Sequence, residues 1–341
     1  MRGLIKYVGI ILTYWSYGQN DITKDSVLDI ETLYYINNLE TKTKDLYDYL
    51  TKLSLESDFT SNIILPKDSI PFYNDSIINE RLVKLDENSP FELISNKSTL
   101  KAINVYVKKR RYIAKMLKLS KFYFPLFEEY LSKYDLPMEL KYLPIVESAL
   151  NPSAKSIAGA KGLWQFMPKT GRMFNLEKSW WSEDRHDPYR STHAAIGYFK
   201  YLFNRFDNDL YLALAAYNAG PTYLDRQINK NKRRNLDYDF WSLDLNKQVT
   251  EYIPKYIAIR EIIFNSEKYG VVLPEIPIES VVKRIEIPGQ VEILTLSEYL
   301  EIPPELIYKL NAGYTKWASA PKDKSIFYVP IEKTYLLDSP D

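Results

Sequence analysis

Apolar residues recur at intervals of three and four along most of the chain, and the places where that rhythm fails divide it. Residues 1–18 open with Arg2 and Lys6 and run into an apolar stretch from Tyr7 to Trp15. Such a stretch is too short to cross a bilayer core, which takes about 20 residues. With small residues in Ser16-Tyr17-Gly18 it reads as a signal peptide over 1–18 that leaves Gln19 as the new N-terminus. Left uncleaved, the same stretch would associate the chain with a membrane. Residues 21–60 are polar, with mixed charge and little periodicity, and Asp58 to Asn74, with Pro66 and Pro71, reads as loop.

From about residue 76 the helical rhythm sets in, with Ile77, Ile78, Leu82 and Leu85, then Val105, Tyr106, Tyr112, Ile113, Met116 and Leu117. It continues through Phe124, Leu126, Phe127, Tyr130 and Leu131, and from Leu136 to Tyr269 the chain is strongly helical and rich in aromatics. Pro274 and Pro277 interrupt it, predicting a linker over 271–280. Beyond it the period changes: Val281 to Ile287 alternates as a strand does. Leu294–Leu300 and Pro304–Leu310 then read as short helices, and Lys324–Pro330 as a closing strand. The expected fold class is mainly α, with an N-terminal helical or irregular region over 19–128, a helical domain over 129–270 and a small βααβ module over 281–333.

Composition narrows the chemistry. The 341 residues contain no cysteine, which excludes disulfides, thiolate metal sites and cysteine nucleophiles. His186 and His193 are the only histidines, a poor base for a multi-histidine metal site. The charge is +1 from 45 basic and 44 acidic residues, so net charge does not point to nucleic acid as a partner. Residues 19–90 hold 14 acidic and 7 basic residues, whereas 91–341 hold 30 and 36, leaving an acidic front and a mildly basic remainder. Tyrosine supplies 29 residues, a side chain that suits either half-buried packing or wet, amphipathic ligands.

Candidate chemistry lies in the central segment. In LPMELKYLPIVESALN, Asp135 and Pro137 make a helix start, Pro144 predicts a kink or break, and Asn151-Pro152 a stop. Glu147 then falls in a last helical turn among Ile145, Val146, Ala149 and Leu150. The negative end of the helix dipole and apolar surroundings both disfavour its charged form, as a carboxylic general acid needs near neutral pH. Gly159–Gly171, GAKGLWQFMPKTG, reads as a constrained loop that could present Trp164, Gln165, Phe166 and Met167 together, or pack them inside. In YLALAAYNAGP, Tyr217 and Asn218 sit at a marked helix end, where Asn218 is either a cap or a cleft residue. Trp180, Trp181 and Trp241 are further stacking candidates.

Glu147-Ser148, the GLWQFMP loop, AAYNAG and Tyr252 in VTEYIPKY resemble the four motifs of the goose-type-lysozyme-like (SLT) lytic transglycosylases. The resemblance covers roughly residues 129–266. It is strongest to the membrane-bound D group, through LPMELKYLPIVESALNPSAKSIAGAKGLWQFMPKTG. It implies a helical lysozyme-like domain and cleavage of the MurNAc–GlcNAc β-1,4 bond of peptidoglycan glycan strands, with a 1,6-anhydro-muramyl product. By the same resemblance Glu147 is the sole catalytic acid/base, and Ser148, Ser156, Gln165, Met167, Tyr217, Asn218 and Tyr252 bind the glycan. No metal or organic cofactor is implied, and the place of action is the cell envelope, on the periplasmic side. Glu183-Asp184-Arg185-His186-Asp187-Pro188 departs from the family's Asp-Glu-Arg-Arg-Asp-Pro and reads as a structural ion-pair and turn motif. Asn175, standing where glycine is frequent, fits a left-handed backbone position. The tail resembles a degenerate LysM-like module, with Pro288-Gly289-Gln290-Val291 in place of the usual Gly-Asp-Thr/Ser-Leu. Two competing readings are a hydrolase that uses water with Glu183 or Asp184 as second carboxylate, and an inactive wall-binding protein.

Overall fold

The computed structural model describes residues 75–337 apart from 88, 90–92, 94–95 and 272–281. The expected signal peptide, the polar stretch up to residue 74 and positions 272–280 of the expected linker lie outside the described residues. The described chain is mainly helical and forms two units, each with its own apolar core.

The larger unit takes residues 75–177 and 184–271. It opens with α1 (Asp75–Asp86), α2 (Lys97–Lys108) and α3 (Arg110–Lys133). Asn96 starts α2 by accepting the N–H groups of Ser98 and Thr99, each at 3.0 Å, which satisfies donors that no preceding turn can reach. Ile103 and Val107 then face inward one turn apart. A 3-10 turn (Met138–Tyr142), α4 (Leu143–Ser148) and α5 (Pro168–Met173) follow. The long pair α6 (Pro188–Arg205) and α7 (Leu210–Ala219) leads to α8 (Pro221–Lys232), α9 (Lys247–Thr250) and α10 (Tyr252–Phe264). Helix α10, apolar on nearly all sides, is the central rod: α2, α4 and α7 all pack on it. The expected division at residue 128 does not coincide with a break in packing. Ile78, Ile103 and Phe127 share one core with Leu143, Phe199 and Ile257, because the amphipathic α2 buries its apolar stripe on α10.

The smaller unit follows the pattern of its sequence. β1 (Val282–Pro288) pairs antiparallel with β2 (Lys324–Pro330), from Val282 opposite Pro330 to Pro288 opposite Lys324. Between them lie α11 (Ile293–Tyr299) and α12 (Pro304–Leu310), and Ile285, Phe327 and Val329 close on Ile293, Leu300 and Ile307. Asn311 ties the hairpin to α12: its amide donates to the Ile307 and Tyr328 carbonyls and its oxygen accepts the Tyr328 N–H, all at 2.8 Å. The segment Lys178–Glu183 belongs to this unit although it lies within the expected 129–270 domain. Backbone bonds hold it there: Glu183 N–H to Gly313 O at 2.8 Å and Thr315 N–H to Trp181 O at 2.9 Å. Among the described residues no helix is long and apolar enough to cross a membrane.

Candidate active site

Pro144 does what its chemistry requires. Lacking an N–H, it cannot continue a helix from Met138, so the chain makes a 3-10 turn and starts afresh, with Pro144 in the first turn of α4. The expected start at Asp135 is corrected: Asp135 has φ +53° and caps nothing, and no side-chain hydrogen bond caps the 3-10 turn. Helix α4 then stops within two turns. Ala149 (φ +54°) and Leu150 (φ +59°) both enter the left-handed region, and their N–H groups bond back to Ile145 and Pro144 at 3.0 and 3.3 Å. Two non-glycine residues in that region cost about 1–2 kcal/mol each. The strain sits directly beside Glu147.

Glu147 is half-buried in the last turn of α4. Burial pushes its carboxyl up to about 7, against the opposing pull of a hydrogen bond from the Tyr252 hydroxyl to Oε1. Desolvation is the larger effect. Tyr252 stands 105 residues further on, at the first position of α10. Burial and the nearby Glu147 carboxyl also push the phenols of Tyr252 and Tyr217 well above their usual value, so both remain hydroxyl donors.

Polar side chains fix the loop at 151–167, from α4 through Ser148, from α7 through Tyr217 and from within the loop through Ser156 and Gln165. The Ser148 hydroxyl lies 2.9 Å from both the Pro144 and Leu163 carbonyls and can donate to one at a time. Ser156 Oγ accepts the Ala160 N–H at 2.9 Å. Gln165, at φ +48°, turns its amide inward to donate to the Gly162 carbonyl at 2.8 Å. Tyr217 donates to the Trp164 carbonyl at 2.6 Å. Trp164 and Phe166 are 0% and 2% exposed, so of the two readings of this loop the packed one holds for its aromatics; of that quartet Met167, 42% exposed, faces solvent. Trp164 instead donates its indole N–H to Thr192 and packs against Phe127 and Phe199, while Tyr217 stacks on Phe199 at 4.9 Å. Asn218 does not cap α7: Gly220, at φ +88°, takes that place. The Asn218 Oδ1 is buried and accepts no hydrogen bond from the described protein atoms.

Within the Glu183–Pro188 run, the side chains of Asp184 to Asp187 each make a contact that holds local structure. Asp184 accepts the Glu177 N–H and an ion pair from Arg190 at 2.9 Å. Arg185 donates to the carbonyls of Gly159 and Phe166 at 2.9 and 3.2 Å. Its own carbonyl lies where a Cβ at Gly162 would stand, 1.7 Å away, so Gly162 (φ +81°) is required twice over. His186 Nδ1 lies 2.8 Å from the Pro152 carbonyl, and Asp187 caps α6. His193 lies on the exposed face of α6 near Tyr134. Asn175 is left-handed, at φ +61°. Trp180 is 51% exposed in the smaller unit, with Lys316 over its ring, whereas Trp241 packs against Phe240 and Tyr211.

The structure thus gathers Tyr252 and Tyr217 around Glu147 and places Ser148, Ser156 and Gln165 in the scaffold beneath. It also shows partners that motif reading missed. Tyr256 and Arg260, on the same helix as Tyr252, reach Glu139 in the 3-10 turn before α4. A signal existed: Arg260 is a charge inside the apolar run YIPKYIAIREIIF and must find a buried partner. Its identity is not a local property. Among the described residues no three His, Asp or Glu side chains are grouped so as to hold a metal ion.

Residues 125–240 match the family profile of the transglycosylase SLT domain. The chain is 37% identical over 206 residues to membrane-bound lytic murein transglycosylase D of Escherichia coli (strain K12), a match that spans 60% of this chain and 44% of that protein. It is 35% identical over 104 residues to the soluble lytic murein transglycosylase of the same strain, over 29% of this chain and 16% of that one. Among solved structures, the 70 kDa soluble lytic transglycosylase from Escherichia coli aligns with a TM-score of 0.36 and 17% identity, over 72% of this chain and 46% of that chain. The chain therefore spans less than half the length of these relatives.

Proposed function

From the premise that residues 125–240 are a transglycosylase SLT domain, we propose that the protein is a peptidoglycan lytic transglycosylase. It would cleave the MurNAc–GlcNAc β-1,4 bond and close a 1,6-anhydro ring on the muramyl residue, with Glu147 as the single general acid/base. The observation that carries this reading is the Glu147 carboxyl itself, held at about 7 by burial and engaged at one oxygen by Tyr252. A carboxyl poised near neutrality can both give and take a proton in one turnover. Tyr252 donates to Oε1, so the proton resides on Oε2, and that oxygen faces the chemistry.

The steps follow. Neutral Glu147 protonates the glycosidic oxygen as the C1–O bond breaks. The muramyl N-acetyl carbonyl supports the developing positive charge at C1. The ionised Glu147, stabilised by the Tyr252 phenol, then takes the proton of the muramyl 6-hydroxyl as that oxygen bonds to C1. No second carboxylate is consumed, whereas a two-carboxylate glycosidase needs one. The engagement of Asp184 with Arg190 supports this reading. Met167, which faces solvent, and Asn218 are the direct glycan contacts in this scheme. Ser148, Ser156, Gln165 and Tyr217 shape the floor on which the sugar lies. The strand–helix–helix–strand unit is read as a LysM-like module, and the place of action as the cell envelope after export.

Digestion of purified peptidoglycan and mass analysis of the fragments tests this. Anhydro-terminated products, lighter by one water than hydrolysis products, are expected. Reducing-end products would establish the hydrolase instead, and binding without any cleavage the inactive wall-binding protein.

A further inference from the structure

Resting on the assignment of Glu147 as the acid, we propose that Glu139, Tyr256 and Arg260 are positioning residues: they lock the register of the Met138–Ser148 segment along α10 and so set where the Glu147 carboxyl stands.

Tyr252, Tyr256 and Arg260 are spaced four and four and share one face of α10. Each grips the Met138–Ser148 segment. Tyr252 bonds the Glu147 carboxyl, Tyr256 donates to the Glu139 backbone carbonyl at 2.9 Å, and Arg260 pairs with the Glu139 carboxylate at 3.3 Å. The segment therefore runs antiparallel to α10, gripped at both ends. The two lengths agree: eight residues of α-helix rise about 12 Å, and eight residues of 3-10 turn followed by α-helix rise about 14 Å. Pro144 makes a second grip necessary, because it breaks the backbone ladder that would otherwise hold Glu139 and Glu147 in a fixed relation.

The ion pair is the telling member. The side chains of Arg260 and Glu139 are 5% and 11% exposed. Such a pair adds little stability over apolar residues of similar volume, and its best-attested use is to specify register. Arg260 also donates to Ser89 Oγ at 3.0 Å, which ties the chain following α1 to the same anchor. A slip of one residue along α10 would carry Glu147 off Tyr252 by about 1.5 Å, and an offset of about 1 Å can cost roughly a hundredfold in rate. The groups that face Glu147 itself are the phenols of Tyr252, from α10, and Tyr217, from α7.

The test uses the full chain. Tyr256→Phe, which removes one hydroxyl, and Glu139→Gln are compared with Arg260→Lys, which retains the charge opposite Glu139. Steady-state turnover of soluble glycan strands is measured where circular dichroism shows each variant folded. The Glu147 carboxyl is titrated by carbon-13 NMR, with its signal assigned by loss in Glu147→Gln. Expected for Tyr256→Phe and Glu139→Gln are a kcat lowered about tenfold or more with KM unchanged, and a Glu147 midpoint that moves up, because the carboxyl leaves the Tyr252 phenol that holds it down. Arg260→Lys, which keeps the charge opposite Glu139, should retain most of the wild-type kcat and midpoint. Wild-type kcat and midpoint in Tyr256→Phe and Glu139→Gln, with only a lower Tm, would overturn the proposal. If Glu147→Gln keeps its activity, the acid assignment fails instead, and the register is still read from the titration.

Discussion

The two units bury polarity in different proportions. The larger one accepts ionisable groups into its interior: Glu147 and Asp187 are pushed up to about 7 and about 6 by burial, and Glu139 meets Arg260 in a nearly dry pair. It also keeps Ala149 and Leu150, which follow Glu147 closely in the chain, in left-handed backbone. Apart from Glu183, the buried polar side chains described in the smaller unit are neutral hydrogen-bonding groups. Asn311 makes three short bonds there, the Ser297 hydroxyl donates to Ile302 O, and Ser325 donates to Gly289 O. Its resolved carboxylate shift, at exposed Glu286, is a lowering by Arg284 and Lys324 at the surface. Desolvated charge and left-handed side chains are costly and persist where a site requires them. Neutral closure costs little and yields a rigid small module.

Several substitutions would break or sharpen that contrast. The largest effect is expected from Glu147→Gln, which should lower the release of anhydro-terminated fragments by at least the 10²–10⁴-fold of a lost general acid/base. A fragment yield equal to wild type by mass analysis would remove Glu147 from the chemistry. Next comes Tyr252→Phe. A hydrogen bond to a charged group contributes about 1.5–3 kcal/mol, so a loss of about tenfold to a hundredfold in kcat is expected. Because Tyr252 holds the Glu147 pKa down, the alkaline limb of the rate profile should move up in this variant.

The pH dependence of stability gives a third, smaller signal. The folded-state pKa of Glu147 lies above its ordinary value of 4.5. The native state therefore holds a proton that the unfolded chain has released, and stability declines as pH rises from 4.5 through about 7. Asp187 slopes the same way up to about 6, so the difference between wild type and Glu147→Gln isolates Glu147. The variant should melt higher than wild type at pH 8 and alike at pH 4. Identical Tm differences at both pH values would show that burial does not perturb the group. The smallest effect on activity is expected in the other unit. Asn311→Ala leaves the Tyr328 N–H without its acceptor and should destabilise the module by about 1–3 kcal/mol. Turnover of short soluble glycans should stay unchanged, and a parallel loss of kcat would mean that the two units are not separable in function.

How much was legible can be judged residue by residue. Alternation over Val281–Ile287 and Lys324–Pro330 yields both strands of the small unit to within a residue, because a two-residue period is written locally. Pro144 yields the break, and Glu147 does lie in a last turn. By contrast, the sequence left Trp164 and Phe166 either displayed or packed, and they are core, because a constrained loop displays or buries its aromatics according to what lies behind it. Here Phe127 and Phe199 lie behind Trp164, and Tyr198 and Tyr217 behind Phe166. The tyrosine excess resolves in part the same way: Tyr123, Tyr198 and Tyr256 are buried, while Tyr252 and Tyr217 lie by Glu147.

By itself the sequence determined which stretches are helical, where the two strands pair, where helices must break, and that a glutamate in an apolar turn is the candidate acid. Those properties follow from periods of two and 3.6 residues and from the geometry of proline and glycine, all of which act over a few positions. Only the tertiary structure decided that Tyr252 meets Glu147 across 105 residues of chain, that Arg260 finds Glu139, and that burial outweighs the phenol in holding the carboxyl near 7. Desolvation is a sum over everything packed around a group, and no short stretch of sequence contains that sum.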